Sequence, residues 1–301
     1  MSKIEEAMEK AKFSREREVA PGHGREPKRK SKPLPRQIPS VEIKITNPLL
    51  LAANYDNLPI AEEYRKLKSI ILHATKKEGF HNTLMVTSSI SDEGKSVTAL
   101  NLAISIAHEH NHTVLLVEAD MRQPSICRYL GIEANSGLAN CLMDGMDVGD
   151  ALIKTGLGNL TLLPAGKQIA NPVELFSSQK MRDLLDEIKH RYDDRYIIFD
   201  TPPLLPFAET RLLGNIVDGV VYVIKEGGTS LQNITEALGY LKDTKVLGIV
   251  YNEATVASLS DGYHHYYDSY KYKSQGAELP ASKKSQKSGF LARFRKAKLN
   301  S

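Results

Sequence analysis

The chain has 301 residues, 41% of them hydrophobic and 25% charged, which is enough apolar material for one large core or two small ones. No apolar run approaches the roughly 18 residues of a membrane span, and the opening MSKIEEAMEKAKF lacks the apolar centre of a signal peptide, so the expected location is the cytoplasm. The net charge of +4 is unevenly spread: residues 1–40 carry +5 and residues 271–301 carry +8, leaving −9 for the body.

Residues 1–45 are rich in Pro, Lys and Arg, have no apolar period and read as a flexible basic arm. An amphipathic helix follows from about Leu58 to Thr75, with Ile60, Tyr64, Leu67 and Ile71 on one face. Strands are expected at Thr83–Thr87, Thr113–Glu118, Leu160–Leu163, Tyr196–Asp200, Gly219–Ile224 and Val246–Tyr251, and helices between them, among them Pro172–Arg191 and Leu231–Leu241. Several strands are continuously apolar, the pattern of strands covered on both faces, so the expected fold is a doubly wound, mostly parallel α/β sheet over residues 46–255. Cys127 and Cys141 have no partner at metal-ligand spacing and read as small core residues in a reducing compartment. After Asn252 the pattern fails, and residues 256–301 read as a disordered tail dense in Tyr, Ser, His and Lys.

The first strand leads into Ser89-Ile-Ser-Asp92-Glu93-Gly94-Lys95-Ser96-Val97 and then a helical pattern. That is the spacing of a phosphate-binding P-loop, G-x-x-x-x-G-K-[ST], with serine replacing the first glycine. Backbone amides and the helix N-terminus would converge on phosphates, Lys95 would reach the β and γ groups, and the Ser96 hydroxyl would bind Mg2+. The second strand ends in Glu118-Ala-Asp120-Met-Arg122 and a later one in Asp200-Thr-Pro-Pro, which places three carboxylates at the carboxyl edge of the sheet, where ligands of open α/β folds bind. Buried strands ending in carboxylates are costly unless the charge is used, and Mg2+ is the expected counter-charge for Glu118, Asp120 and Asp200. For Asp200 alone, capping of the following turn is the alternative.

This loop, the D-x-R of the second strand (Asp120, Arg122) and the D-T-P-P-L of a later one resemble the bacterial tyrosine kinases, from about Asn57 to Tyr272. The likeness is strongest to the separate cytoplasmic autokinases of exopolysaccharide loci, including those linked to exosortase systems. Position 90 is Ile, where the partitioning and septum-positioning ATPases carry the first lysine of K-G-G-x-G-K. Tyr263, Tyr266, Tyr267, Tyr270 and Tyr272 crowd into ten residues of a chain with thirteen tyrosines; in the family such a tail is the autophosphorylation substrate. Glu62, Arg65 and Lys68 resemble the family's E-x-x-R-x-x-R oligomerisation motif with Lys68 in place of Arg, although i, i+3 surface pairing explains the same spacing. Glu118 also departs from the family, which usually has Asp there.

The resemblance implies ATP and Mg2+ as cofactors, Asp120 as the base, and Lys95 and Arg122 as further catalytic residues. It also implies a homo-oligomeric ring exchanging tails, a separate membrane polysaccharide co-polymerase as activator and a protein-tyrosine phosphatase. The basic ends suit an anionic partner, and of the two candidates a peripheral position at the inner membrane face is expected and nucleic acid is not. A non-kinase ATPase and a nucleotide-binding scaffold without turnover are the alternative readings.

Overall fold

The computed structural model describes Ser40 and residues 47–50, 52–53, 59–76, 80–192 and 194–255. Contacts divide the chain into Met1–Gln37 and Ile38–Ser301, and all described residues belong to the second unit. The five tail tyrosines, the basic C-terminus and all of the basic arm except Ser40 lie outside the described residues.

A seven-stranded sheet forms the centre, with β1 (Thr83–Ser88), β2 (Thr113–Glu118), β3 (Ile153–Lys154), β4 (Leu160–Leu163), β5 (Arg195–Asp200), β6 (Gly219–Lys225) and β7 (Val246–Asn252) in the spatial order β3-β4-β2-β5-β1-β6-β7. Every pairing is parallel except β3 with β4. All six residues of β1 and of β5 are buried, which fits the apolar runs at their centres, Leu84–Val86 and Tyr196–Phe199. Side chains alternate between faces, so Met85, Ile197, Phe199, Val220 and Tyr222 enter one core, while Leu84, Val86, Ile198, Val221 and Val223 enter the other.

Each core is closed by a helix. The second is covered by α2 (Lys95–Ala107), which buries Leu100, Leu102, Ile104 and Ile106 and packs beside α1 (Pro59–Lys76). After β2 the chain forms the short helices α3 (Ile126–Leu130), α4 (Leu138–Asp144), α5 (Val148–Ala151) and α6 (Val173–Ser177), then α7 (Gln179–His190) and α8 (Ala208–Gly214), with α9 (Leu231–Gly239) before β7. Of these, α4, α5, α6, α7, α8 and α9 supply residues to the first core and α3 supplies Ile126 and Leu130 to the second. Met181, Leu184, Leu185 and Ile188 form the apolar face of α7; burying such a side chain contributes roughly 1.5–3 kcal/mol. The doubly wound parallel architecture expected from the sequence is therefore the one found.

Two local expectations are corrected. Pro172–Arg191 is two helices, because Ser178 adopts an extended conformation and its hydroxyl caps α7 by accepting from the Met181 amide at 3.2 Å. The antiparallel edge strand β3 was not expected at all. Strand order turns back around β1, so the loops after β1, β2 and β5 meet at one carboxyl edge. Strand β7, parallel to β6, ends at that same edge.

Candidate active site

The loop between β1 and α2 is shaped by two left-handed residues, Asp92 at φ 62° and Gly94 at φ 88°. Gly94 is required: a Cβ there would lie 2.1 Å from Nδ2 of Asn252. No side chain caps α2, and its ladder opens with the Thr98 amide donating to the Gly94 carbonyl at 2.9 Å. The amides of Lys95, Ser96 and Val97 thus have no carbonyl within the helix to donate to, the usual basis of an anion site at a helix N-terminus.

The remaining loop side chains hold it in shape. Ser89 is fully buried and its hydroxyl meets the Tyr222 hydroxyl at 2.5 Å, so the serine in the place of a P-loop glycine points into the protein. Glu93, also buried, accepts from the Ile90 amide at 2.8 Å and from the Thr229 hydroxyl. The amides of Leu204 and Leu205 donate to the Ser88 and Ser89 carbonyls at 2.8 and 3.1 Å, tying the loop after β5 to the phosphate loop. Asp92 is exposed.

The three acids differ sharply in surroundings. Glu118 and Asp200 are register partners at the ends of β2 and β5. Asp200 is completely buried and neither carboxylate oxygen has a hydrogen-bond partner. Burial pushes its carboxyl up to about 7; the Lys95 cation, and the Ser96 hydroxyl, which lies nearby without reaching hydrogen-bond geometry, oppose that rise, while Asp120 and Glu118 add to it. Asp120 faces Lys95 Nζ at 3.8 Å through one oxygen and accepts from the Gln123 amide at 3.0 Å through the other. Both oxygens of Glu118 are engaged by backbone, the Ile126 amide at 2.6 Å and the Ala165 amide at 3.1 Å, so its carboxylate fixes the start of α3 and the end of β4.

Arg122 is likewise committed. Its Nε donates to buried Glu209 at 2.5 Å, one terminal nitrogen donates to the Ala170 carbonyl, and the guanidinium lies 4.6 Å from the centre of the Phe207 ring. Burial, and secondarily Glu118, push the Cys127 thiol up to about 12, so it stays protonated; neither it nor Cys141 is in a disulfide.

A buried carboxylate with two unbonded oxygens normally has a partner. Asp200 sits beside Lys95 and Ser96 at an uncapped helix terminus, which fits a divalent cation bound together with a nucleoside triphosphate. Among the described residues no cluster of three or more His, Cys, Asp or Glu could hold a metal unaided, so such an ion would share its shell with phosphate oxygens.

Residues 87–247 match the family model described as an AAA domain. The tyrosine-protein kinase YwqD of Bacillus subtilis (strain 168) is 35% identical over 217 residues, spanning 71% of this chain and 90% of that relative. The chain belongs to the bacterial tyrosine-protein kinase family. The putative tyrosine-protein kinase CapB of Staphylococcus aureus is 30% identical over 209 residues, 69% of this chain and 90% of that protein. The crystal structure of the chimerical protein CapA2B2 superposes with a TM-score of 0.64 at 27% identity, covering 72% of this chain and 93% of that one.

In this family member the residues resembling an oligomerisation motif are half-exposed or paired within the chain. Arg65 binds Glu62 at 2.5 Å, and Lys68 binds Glu109 at the end of α2. Sequence reasoning missed Tyr222, Glu209 and Asn252. Asn252 could have been found as the polar end of an apolar strand at the carboxyl edge, whereas nothing in the sequence marks Glu209 as the partner of Arg122. No helix among the described residues is long and apolar enough to cross a membrane.

Proposed function

We propose that the chain is an ATP-dependent protein-tyrosine autokinase whose acceptors are Tyr263, Tyr266, Tyr267, Tyr270 and Tyr272, phosphorylated in trans within a homo-oligomer. Residues 46–255 form the catalytic domain, flanked by the basic arm and the tyrosine-rich tail. The observation that carries the reading is the buried, unbonded Asp200 carboxylate beside Lys95 and Ser96 at an uncapped helix terminus, in a chain of this family. A non-kinase ATPase is not favoured, since the relatives reported above are named tyrosine kinases.

ATP would supply the phosphoryl group, and a bound Mg2+ would supply positive charge against its phosphates. The amides of Lys95, Ser96 and Val97 would bind phosphate, and Ser96 and Asp200 would hold the metal. Lys95 Nζ lies 3.8 Å from Asp120; with Lys95 turned to phosphate, the Asp120 carboxylate is free to accept the proton of an incoming phenol, whose pKa near 10 makes that help necessary. Glu118 and Arg122 position the loop that carries Asp120.

Mixing two variants tests the trans step. A chain with all five tail tyrosines changed to Phe supplies activity without acceptors, and a Lys95→Met chain supplies acceptors without activity. Label from γ-labelled ATP is expected on the Lys95→Met chain; its absence there, with an added tyrosine peptide still labelled, would exclude the trans reading.

Oligomerisation is proposed to use Glu62, Arg65 and Lys68. Changing Arg65 and Lys68 to Ala is expected to give monomers by light scattering and to reduce tail labelling, with nucleotide affinity unchanged. An intact oligomer would return α1 to a packing role. In the cell the kinase would regulate exopolysaccharide synthesis or export with a membrane co-polymerase and a phosphatase, held at the inner membrane face by its basic ends; salt-sensitive sedimentation with anionic vesicles checks the last point.

A further inference from the structure

The chain leaves the sheet at Asn252, and two of its next three residues, Glu253 and Thr255, are tied to the end of β6 and the turn after it. The Asn252 side-chain amide donates to the Glu93 carbonyl of the phosphate loop at 3.0 Å, and the Asn252 backbone carbonyl accepts from the Glu226 amide at 3.0 Å. Lys225 Nζ binds the Glu253 carboxylate at 2.8 Å, and the Glu226 carboxylate accepts from the Thr255 amide. Glu253 lies in the left-handed region at φ 54°, an uncommon state for a residue with a side chain. The Lys225 amide in turn donates to the Glu93 carboxylate at 3.4 Å. One buried P-loop acid therefore touches both halves of the arrangement.

We infer that Lys225 and Glu226 form an anchor that fixes the root of the C-terminal segment against the phosphate loop and thereby sets which tail tyrosines reach an active site. The inference rests on the autokinase reading and adds positioning residues to it. Tyr263 is eight residues beyond Thr255 and Tyr272 is seventeen, reaches of roughly 26 and 56 Å when extended. The tyrosine nearest the root is the one whose accessible volume depends most on where the root is held. Neither anchor side chain belongs to the phosphate or metal site, and the β6–β7 ladder does not depend on either, because it uses backbone groups alone.

The test is the full-length Lys225→Ala/Glu226→Ala chain beside the wild type. Hydrogen exchange of the nucleotide-free proteins is expected to be at least tenfold faster at the Thr255 amide in the variant and unchanged in β6. With ATP, the ratio of phosphate on Tyr263 to that on Tyr272 is expected to change threefold or more, while phosphorylation of an added tyrosine peptide stays within twofold. Unchanged exchange, or faster exchange with an unchanged ratio, would overturn the anchor as a positioning device. A wild-type chain that labels neither itself nor the peptide refutes the autokinase reading, and the positioning role with it; a wild type that labels the peptide isolates any failure to the anchor.

Discussion

Replacing Asp200 with Asn is expected to abolish phosphotransfer and, in the nucleotide-free protein above pH 7, to raise stability. Burial lifts this carboxyl from 3.8 to about 7. Below about pH 4 it is protonated in both the folded and unfolded chains and carries no charge penalty. Between about pH 4 and 7 the unfolded chain releases the proton that the folded chain keeps, so stability falls as pH rises, and above 7 the full penalty, on the order of 4 kcal/mol, is present. Asn removes that term but leaves a buried amide without partners, which costs about 1–3 kcal/mol, for a net gain of about 1–3 kcal/mol. Melting temperatures of both proteins across pH 4–8 should therefore separate progressively up to pH 7 and then run parallel. Loss of the metal-binding oxygen should lower phosphotransfer by roughly a thousandfold or more, about 4 kcal/mol of barrier. An active variant would remove Asp200 from the metal site, and one no more stable than wild type at pH 8 would mean that the buried charge already has a partner.

The second large effect concerns Arg122. Changing it to Ala removes the cation from Glu209, which is 1% exposed and whose other oxygen has no hydrogen-bond partner. Stripping one member from a buried pair costs about 3–5 kcal/mol; since the Arg122 side chain is 24% exposed, the lower end applies. The melting temperature should fall by roughly 6–12 °C, and adding Glu209→Gln to the variant should restore more than half of the loss. Unchanged stability with lost activity would instead make Arg122 a phosphate ligand.

Most strands were legible to within a residue or two because their centres are short apolar runs, which in β1, β2, β4 and β5 burial on both faces produces, whereas β7 is partly exposed. Helices α3, α4, α5 and α8 are too short for a 3.6-residue period to emerge, and the two residues of β3 carry no alternation. The break at Ser178 was hidden because apolar spacing continues across it, although a serine able to cap was in view. In the site, Lys95, Ser96 and Asp200 could be read from motif chemistry, since phosphate and metal binding dictate residue types at fixed spacing. The commitments of Glu118 to two backbone amides and of Arg122 to an acid 87 residues away could not. Those pairings exist only once β2, β4, β5 and α8 have packed, and no local spacing encodes them.

Mass spectrometry of the full-length protein and its Lys95→Met variant, each made in a host without other tyrosine kinases, tests the central claim most directly. The expected result is phosphotyrosine on the wild-type tail and none on the variant, with both proteins folded alike, since Lys95 is partly exposed and contributes little to the core. Phosphotyrosine persisting in the Lys95→Met chain, or absent from wild type incubated with Mg2+ and ATP, would contradict the assignment.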